Sequence, residues 1–297
     1  MDEATVAVVK GEDPVNMTVE ALEMIGASEA FRTDERILVK PNYIDASHPS
    51  TGVTTDARVV EGIIKFLEEN SLGNIMIGEG SGMANTMRAF KVAGIDEVAR
   101  RWEVDLIDLN DDEYVVAEVP SPLALKTVRI AKTALNSAII SVPKLKLHRM
   151  AGVTLSLKNL MGVVSPKGQI HRSLGKKIAD LASLVKPRLA VIDGIIGGEG
   201  HELAGRPVEM NLVIAGLDPV AVDTVGAAVM EVNPERVEHI ILAAKKELGV
   251  CNLNKIKVVG EPIEKVKKKI QTFLLVKTII EIRIRQNVLY VSVRWNR

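Results

Sequence analysis

Cysteine is almost missing from this chain: in 297 residues there is only Cys251. No disulfide can therefore close within it, and no iron–sulfur cluster or zinc site can be built from several thiolates of one chain. A reducing, cytoplasmic setting is the expectation. Aromatic residues are scarce at 3%, which leaves little material for the base-stacking platforms of single-stranded nucleic-acid binders. Neither sign of charge is in excess, with 38 Lys and Arg against 38 Asp and Glu. Nucleic acid is thus not an expected partner, and any electrostatic preference must be local. The uncharged run of about 18 apolar residues needed by a membrane-spanning helix is lacking, because Pro143, Lys277 and Glu281 interrupt the most apolar stretches. The opening Met1-Asp2-Glu3-Ala4 is acidic and runs straight into an apolar strand, the wrong order for a cleavable export signal.

What is present is the makeup of a globular protein, 47% apolar and 26% charged. Short β-branched runs alternate with helical patterns, which predicts an α/β fold. The expected architecture is a mostly parallel or mixed sheet with helices on both faces, filling residues 1–262. Strands are predicted at Thr5–Val9, Ile37–Lys40, Asn74–Ile77, Val104–Ile107, Ser137–Val142, Leu189–Ile192 and Leu212–Ala215, with an antiparallel hairpin from Tyr114–Val119 and Thr127–Ala131. Helices are predicted over 56–70, where Val59, Val60, Ile63, Ile64 and Leu67 share a side, and over 174–186, ending before Pro187. Two more start at Asp218-Pro219 and Asn233-Pro234, each a cap followed by proline, and the second is expected to run to Gly249. Residues 263–297 form a basic extension, carrying Lys265, Lys267, Lys268, Lys269, Lys277, Arg283, Arg285, Arg294 and Arg297 against Glu264 and Glu281. It reads as a surface helix and edge hairpin, or else as an arm for an anionic partner.

The chemistry-bearing residues cluster just after predicted strands. Lys40 and Asn42 follow one strand; Glu79 and Ser81, among three glycines, follow another; Lys144, Lys146 and His148 follow a third; Asp193 and Glu199 follow a later one. In an open parallel sheet such positions line one crevice, where ligands bind. Lys158 and Asn159 lie in the apolar stretch 153–164, where a charge is costly unless a partner or ligand meets it. Lys144, Lys146, Lys158 and Lys167 would draw carboxylate or phosphate, although Lys144 and Lys146, at strand spacing, could equally form a solvated face. Lys158, His148 and His171 are the candidates for proton or group transfer. Asp218 reads as a helix cap, Asp223 as a partner for a lysine or a cation, and His239 as a surface residue. No phosphate-binding loop, nucleophile elbow or paired-histidine metal motif occurs, so no cofactor is named and no metal ligand is assigned.

Five segments carry a family likeness: Ile37-Leu38-Val39-Lys40-Pro41-Asn42, Gly78-Glu79-Gly80-Ser81-Gly82, Val142-Pro143-Lys144-Leu145-Lys146-Leu147-His148, Ser156-Leu157-Lys158-Asn159-Leu160-Met161-Gly162, and Asp193-Gly194-Ile195 with Asp218-Pro219-Val220-Ala221-Val222-Asp223. In this order over roughly 5–260 the chain resembles the domain of unknown function 362 family. Some members of that family carry a ferredoxin-like iron–sulfur segment, which this chain lacks the cysteines to form. The functional expectation is an enzyme acting on a small carboxylate- or phosphate-bearing metabolite by acid–base or group-transfer chemistry. The alternative is a non-catalytic accessory protein that binds a metabolite, a cofactor precursor or an iron–sulfur protein partner.

Overall fold

A computed structural model describes residues 3–203 and 205–271, together with the backbone of 279–285 and 288–294. In chain order the regular elements are β1 (Ala4–Lys10), α1 (Pro14–Met24), β2 (Arg36–Pro41), α2 (Ala57–Glu69), β3 (Asn74–Glu79), α3 (Thr86–Ala93), α4 (Ile95–Trp102), β4 (Asp105–Asp108), β5 (Tyr114–Glu118), β6 (Thr127–Ala131), α5 (Lys132–Leu135), β7 (Ala138–Val142), β8 (Lys144–His148), β9 (Gly152–Thr154), α6 (Ser156–Asn159), α7 (Leu174–Val185), β10 (Leu189–Glu199), β11 (Arg206–Gly216), α8 (Pro219–Val229), α9 (Glu238–Lys245), β12 (Ile256–Gly260), α10 (Ile263–Val266), β13 (Ile279–Arg285) and β14 (Val288–Arg294).

The main sheet runs β12-β1-β11-β10-β7-β2-β3-β4. Every neighbouring pair is parallel except the two made by β11, which is antiparallel to both β1 and β10. The sheet is thus mixed, and β2, β3, β7 and β10 still point their carboxyl ends the same way. Strand residues alternate between two faces, and the core divides accordingly. Val8, Leu38, Met76, Ile192 and Ile214 pack with Ile178 and Leu181 of α7 and Val222 and Val225 of α8. Their neighbours Val9, Val39, Ile77, Val191 and Val213 pack on the other side with Leu22 of α1 and Val59, Ile63 and Leu67 of α2. Helices therefore cover both faces, and no helix among the described residues is long and apolar enough to cross a membrane.

Pro143 interrupts the line of β7. Beyond it the chain continues as β8, which pairs with the outer half of β10 and with β9 instead of with β2. The outer half of β10 is long because β11 returns beside it through Arg206, with a register break between Gly194 and Ile196.

The capped helices follow the expected chemistry. Asp56 accepts from the Arg58 N–H at the start of α2, and Asp218 accepts from the Val220 and Ala221 N–H groups at the start of α8. The helix expected from Asn233 to Gly249 is instead divided. Pro234–Arg236 is a short 3-10 turn, Val237 is extended (φ −92°, ψ 101°), and α9 begins only at Glu238. Val237 interrupts it because its side chain is buried in the core, which an unbroken helix through this point would not serve. His239, expected at the surface, is fully buried in α9. Of the basic extension, Val266 and Ile270 join the core, and β13 pairs antiparallel with β14. The side chains of the hairpin, and with them the reading as an arm for an anionic partner, lie outside the described residues.

Candidate functional site

The carboxyl ends of β2 and β3 meet over a buried ion pair. Lys40 Nζ donates to Glu79 Oε2, to Asn159 Oδ1 at 3.2 Å and to the Pro41 carbonyl at 3.1 Å, which uses all three of its protons. Burial pulls the Lys40 pKa down and pushes the Glu79 pKa up, each against the attraction of the other. Asn159 ties the segments together, because its Nδ2 donates to the Lys40 carbonyl (2.9 Å) and to Ser141 Oγ (3.2 Å), and its Oδ1 also accepts from Asn42 Nδ2 (3.2 Å). Gly162 comes so close that a Cβ there would lie 2.7 Å from Lys40 Nζ and 2.8 Å from Glu79 Oε1.

A second buried pair lies where β7 gives way to β8. Lys144 Nζ donates to Asp193 Oδ2 at 2.7 Å with both side chains fully enclosed. The same carboxylate accepts from the Asp56 N–H (2.6 Å) and the Ile195 N–H (2.9 Å), so it also pins the loop that leads into α2. Lys144 and Lys146 are therefore not a solvated face; both are buried.

The one-turn helix α6 is held from outside itself. Asp223 of α8 accepts from the Ser156 N–H (2.7 Å), Ser156 Oγ (2.6 Å) and the Leu157 N–H (3.0 Å). These contacts replace the expected lysine or cation as partners of Asp223. Burial raises its pKa to about 7 in spite of the three donors. The effect of the clamp is to fix Lys158 and Asn159, the next two residues, against the ends of β2 and β7.

Above these pairs opens a cavity of about 380 Å³. Of the residues anticipated from sequence, Asn42, Glu79, Lys146, His148, Lys158, Asn159 and His171 line it. Lys40, Ser81, Lys144, Asp193 and Glu199 do not. Ser81 Oγ donates to the Tyr43 carbonyl at 2.5 Å, and Glu199 lies 3.1 Å from Arg206 across the β10–β11 hairpin. Residues not anticipated for the site, Arg149, Thr154 and Glu202, complete the lining, with Lys167. Glu202 gave only a weak sequence signal, a carboxylate beside His201 two residues beyond Gly200. A shallower depression of about 670 Å³ lies elsewhere, along Val232, Leu253, Val258 and Ile263, without any of these groups.

The cations of the cavity differ in how they are held. Lys167 Nζ donates to Asn110 Oδ1 at 2.6 Å, and its pKa is lowered, chiefly by burial. Lys146 Nζ reaches the carbonyls of Val53 (2.7 Å) and Glu202 (3.2 Å) and no carboxylate. Burial, then the charge of Lys158, lowers its pKa to about 7. Lys158 Nζ forms no hydrogen bond or salt bridge among the described residues, and burial lowers its pKa to about 8 against the attraction of Glu202. His148 Nδ1 accepts from the N–H groups of Met150 (3.1 Å) and Ala151 (3.2 Å), which places the proton on Nε2, 3.9 Å from Glu202 Oε1. Burial and the charge of Lys158 hold this imidazole neutral, its pKa lowered to about 3. It therefore offers the cavity a donor. Asn42 Oδ1 and Thr154 Oγ1, both buried and in the lining, have no partner among the described residues.

The sequence model described as domain of unknown function (DUF362) matches residues 37–228, well over half of the chain and the whole span from Lys40 to Asp223. The chain belongs to this family. A relative named as a thylakoid-associated protein of Synechocystis sp. is 24% identical over 241 residues, covering 77% of this chain and 73% of its own. No solved structure matches this DUF362 chain.

Proposed function

We propose that this protein is an enzyme that binds a small carboxylate- or phosphate-bearing metabolite in the cavity above Lys40 and Glu79, and that Lys158 carries out proton or group transfer on it. The observation that carries this reading is a pair of lysines, buried Lys146 and half-buried Lys158, that line one cavity with no carboxylate bonded to either among the described residues. Two confined like charges answered only by unbonded carboxylates such as Glu202 are costly, and an anion between them supplies the missing contact. Lys167 and Arg149 add positive charge around the same space, and Asn42 Oδ1 and Thr154 Oγ1 offer hydrogen-bonding positions to a ligand hydroxyl or amine. Lys158 is the group suited to give and take a proton, since a pKa of about 8 puts both of its forms within reach near neutral pH. The scarcity of cysteine supports a reducing cytoplasmic location, and the thylakoid association of the relative makes membrane fractionation a worthwhile control.

The test is thermal unfolding of the full chain with phosphate, citrate and other small anions. The melting temperature is expected to climb with anion concentration, and Lys158→Ala and His171→Ala are expected to blunt the climb. A parent protein indifferent to every anion, or variants that keep the full response, would remove the reading. Saturable anion binding without turnover of any candidate metabolite would favour the accessory-protein alternative.

A further inference from the structure

We infer that Lys158 is an amine nucleophile that forms a Schiff base with a carbonyl-bearing anion, a small oxo acid or an aldehyde carrying a carboxylate or phosphate. The inference rests on the anion-binding reading above and adds to it the class of substrate and the bond that forms.

The argument is one of elimination among the lysines. Lys40 has all three protons engaged and Glu79 beside it. Lys144 is closed off by Asp193 at 2.7 Å and does not line the cavity. Lys146 is held by two backbone carbonyls, and Lys167 by Asn110 at 2.6 Å. Lys158 alone among them has an amine in the cavity lining with no bonded partner among the described residues, so its lone pair can be freed without breaking a contact. Its attachment is rigid despite that freedom, because Asp223 clamps the preceding turn and Asn159 is bonded on both sides of its amide. Crowding by other cations in a desolvated pocket is the physical condition that keeps an amine uncharged and nucleophilic, and Lys146 and Lys40 supply it here.

The step balances without an oxidant or reductant. The Nζ lone pair adds to the carbonyl carbon, the C–N bond forms, and the π pair of the C=O moves to oxygen, which takes up a proton while nitrogen releases one. The carbinolamine hydroxyl then takes a second proton and leaves as water as the nitrogen lone pair closes the C=N bond. The iminium nitrogen then returns a proton, so that one amine and one carbonyl give one imine and one water. Lys146, its pKa near 7, can hold or release a proton at neutral pH. Asn42 Oδ1 offers an acceptor to the hydroxyl that exists only in the carbinolamine.

The experiment is reductive trapping of the full chain with glyoxylate and cyanoborohydride, followed by peptide mapping, with the phosphate thermal response measured in parallel. At neutral pH a lysine titrating near 8 has on the order of a hundredfold more free amine than an ordinary exposed lysine. The label is therefore expected to appear first on the Lys158 peptide, to saturate, and to be suppressed by phosphate. Lys158→Arg should lose the label and keep a phosphate response, and mapping of the parent itself needs no variant to fold. If phosphate stabilises the parent but the label spreads evenly over surface lysines, the Schiff-base inference is overturned while anion binding stands. If phosphate has no effect and Lys158 stays unlabelled, both fall.

Discussion

Lysines 144 and 158 lie fourteen positions apart near the same sheet edge, one fully buried and one half-buried, and their electrostatic surroundings are opposite. Lys144 is neutralised by Asp193, and that carboxylate is further saturated by two backbone N–H groups. Lys158 has no bonded counter-charge among the described residues; Glu202 attracts it from a distance, and Lys40 and Lys146 repel it. The first arrangement spends a buried pair on joining β8, β10 and the loop before α2. The second leaves a lysine at a cavity wall with no bonded partner among the described residues and only the attraction of Glu202 to offset its burial. A buried ion pair marks architecture here, and an unmatched cation marks the place where chemistry can happen.

Removing one partner of the closed pair should produce the largest effect. Asp193→Ala leaves Lys144 buried and alone and is expected to lower the unfolding free energy by about 3–5 kcal/mol in urea titrations. Glu79→Gln should cost somewhat less, about 3 kcal/mol, because an amide oxygen still accepts from Lys40. Lys158→Met, by contrast, is expected to keep stability within about 1 kcal/mol of the parent, or raise it, while abolishing the thermal response to phosphate. Equal losses for Asp193→Ala and Lys158→Met would erase the contrast.

A pH series sharpens it further. Lys146 and Lys158 have folded-state values near 7 and 8, below their value of 10.5 when unfolded. Between those limits the unfolded chain binds more protons, so the stability of the ligand-free protein should rise with pH, by roughly 2–4 kcal/mol for each lysine between pH 7 and 10. Anion affinity should move the other way, falling as the same amines lose their charge. The double variant Lys146→Met/Lys158→Met should flatten both trends, as followed by melting temperature across pH. The smallest change is expected at His239, buried with neither ring nitrogen partnered and held neutral with a pKa near 3. His239→Leu should be neutral or stabilise by about 1 kcal/mol, and a large loss would mean that this ring supports the Lys158 region.

How much of this was legible in the sequence depends on the kind of information required. The ends of β2, β3 and β7 could be read because polar residues follow short β-branched runs, and their shared edge follows from parallel pairing. The ion pairs could not, since Lys40 and Glu79 are 39 residues apart and Lys144 and Asp193 are 49 apart, and one sequence carries no record of who meets whom. The separate environments of Lys144 and Lys146 are not legible either, because alternation at strand spacing fits a solvated face as well as a ligand-facing one. The partner strand β10 shifts register between Asp193 and Gly198, and this sends the two amines to different neighbours. Helix α1 is not among the elements expected above, although Asp13-Pro14 repeats the signature of Asp218-Pro219, with Asp13 accepting from Val15 and Asn16. His239 reads as a surface residue in the sequence because one ring among Ile240, Ile241 and Leu242 on a short helix gives no clear polar side. Glu202 sits in a loop, where periodicity says nothing.

Gly162 sets a boundary on how this site can be altered. Bare backbone there lies against Lys40 and Glu79, and a Cβ on Gly80 would come within 2.5 Å of the Gly162 carbonyl, so two distant segments touch main chain to main chain. The rim is permissive by comparison, with Met83 and Met150 largely exposed at 67% and 55%. Anyone reshaping the pocket for a different guest would have room to work at its mouth and none at its floor, where a single added methyl must displace either the backbone or the ion pair.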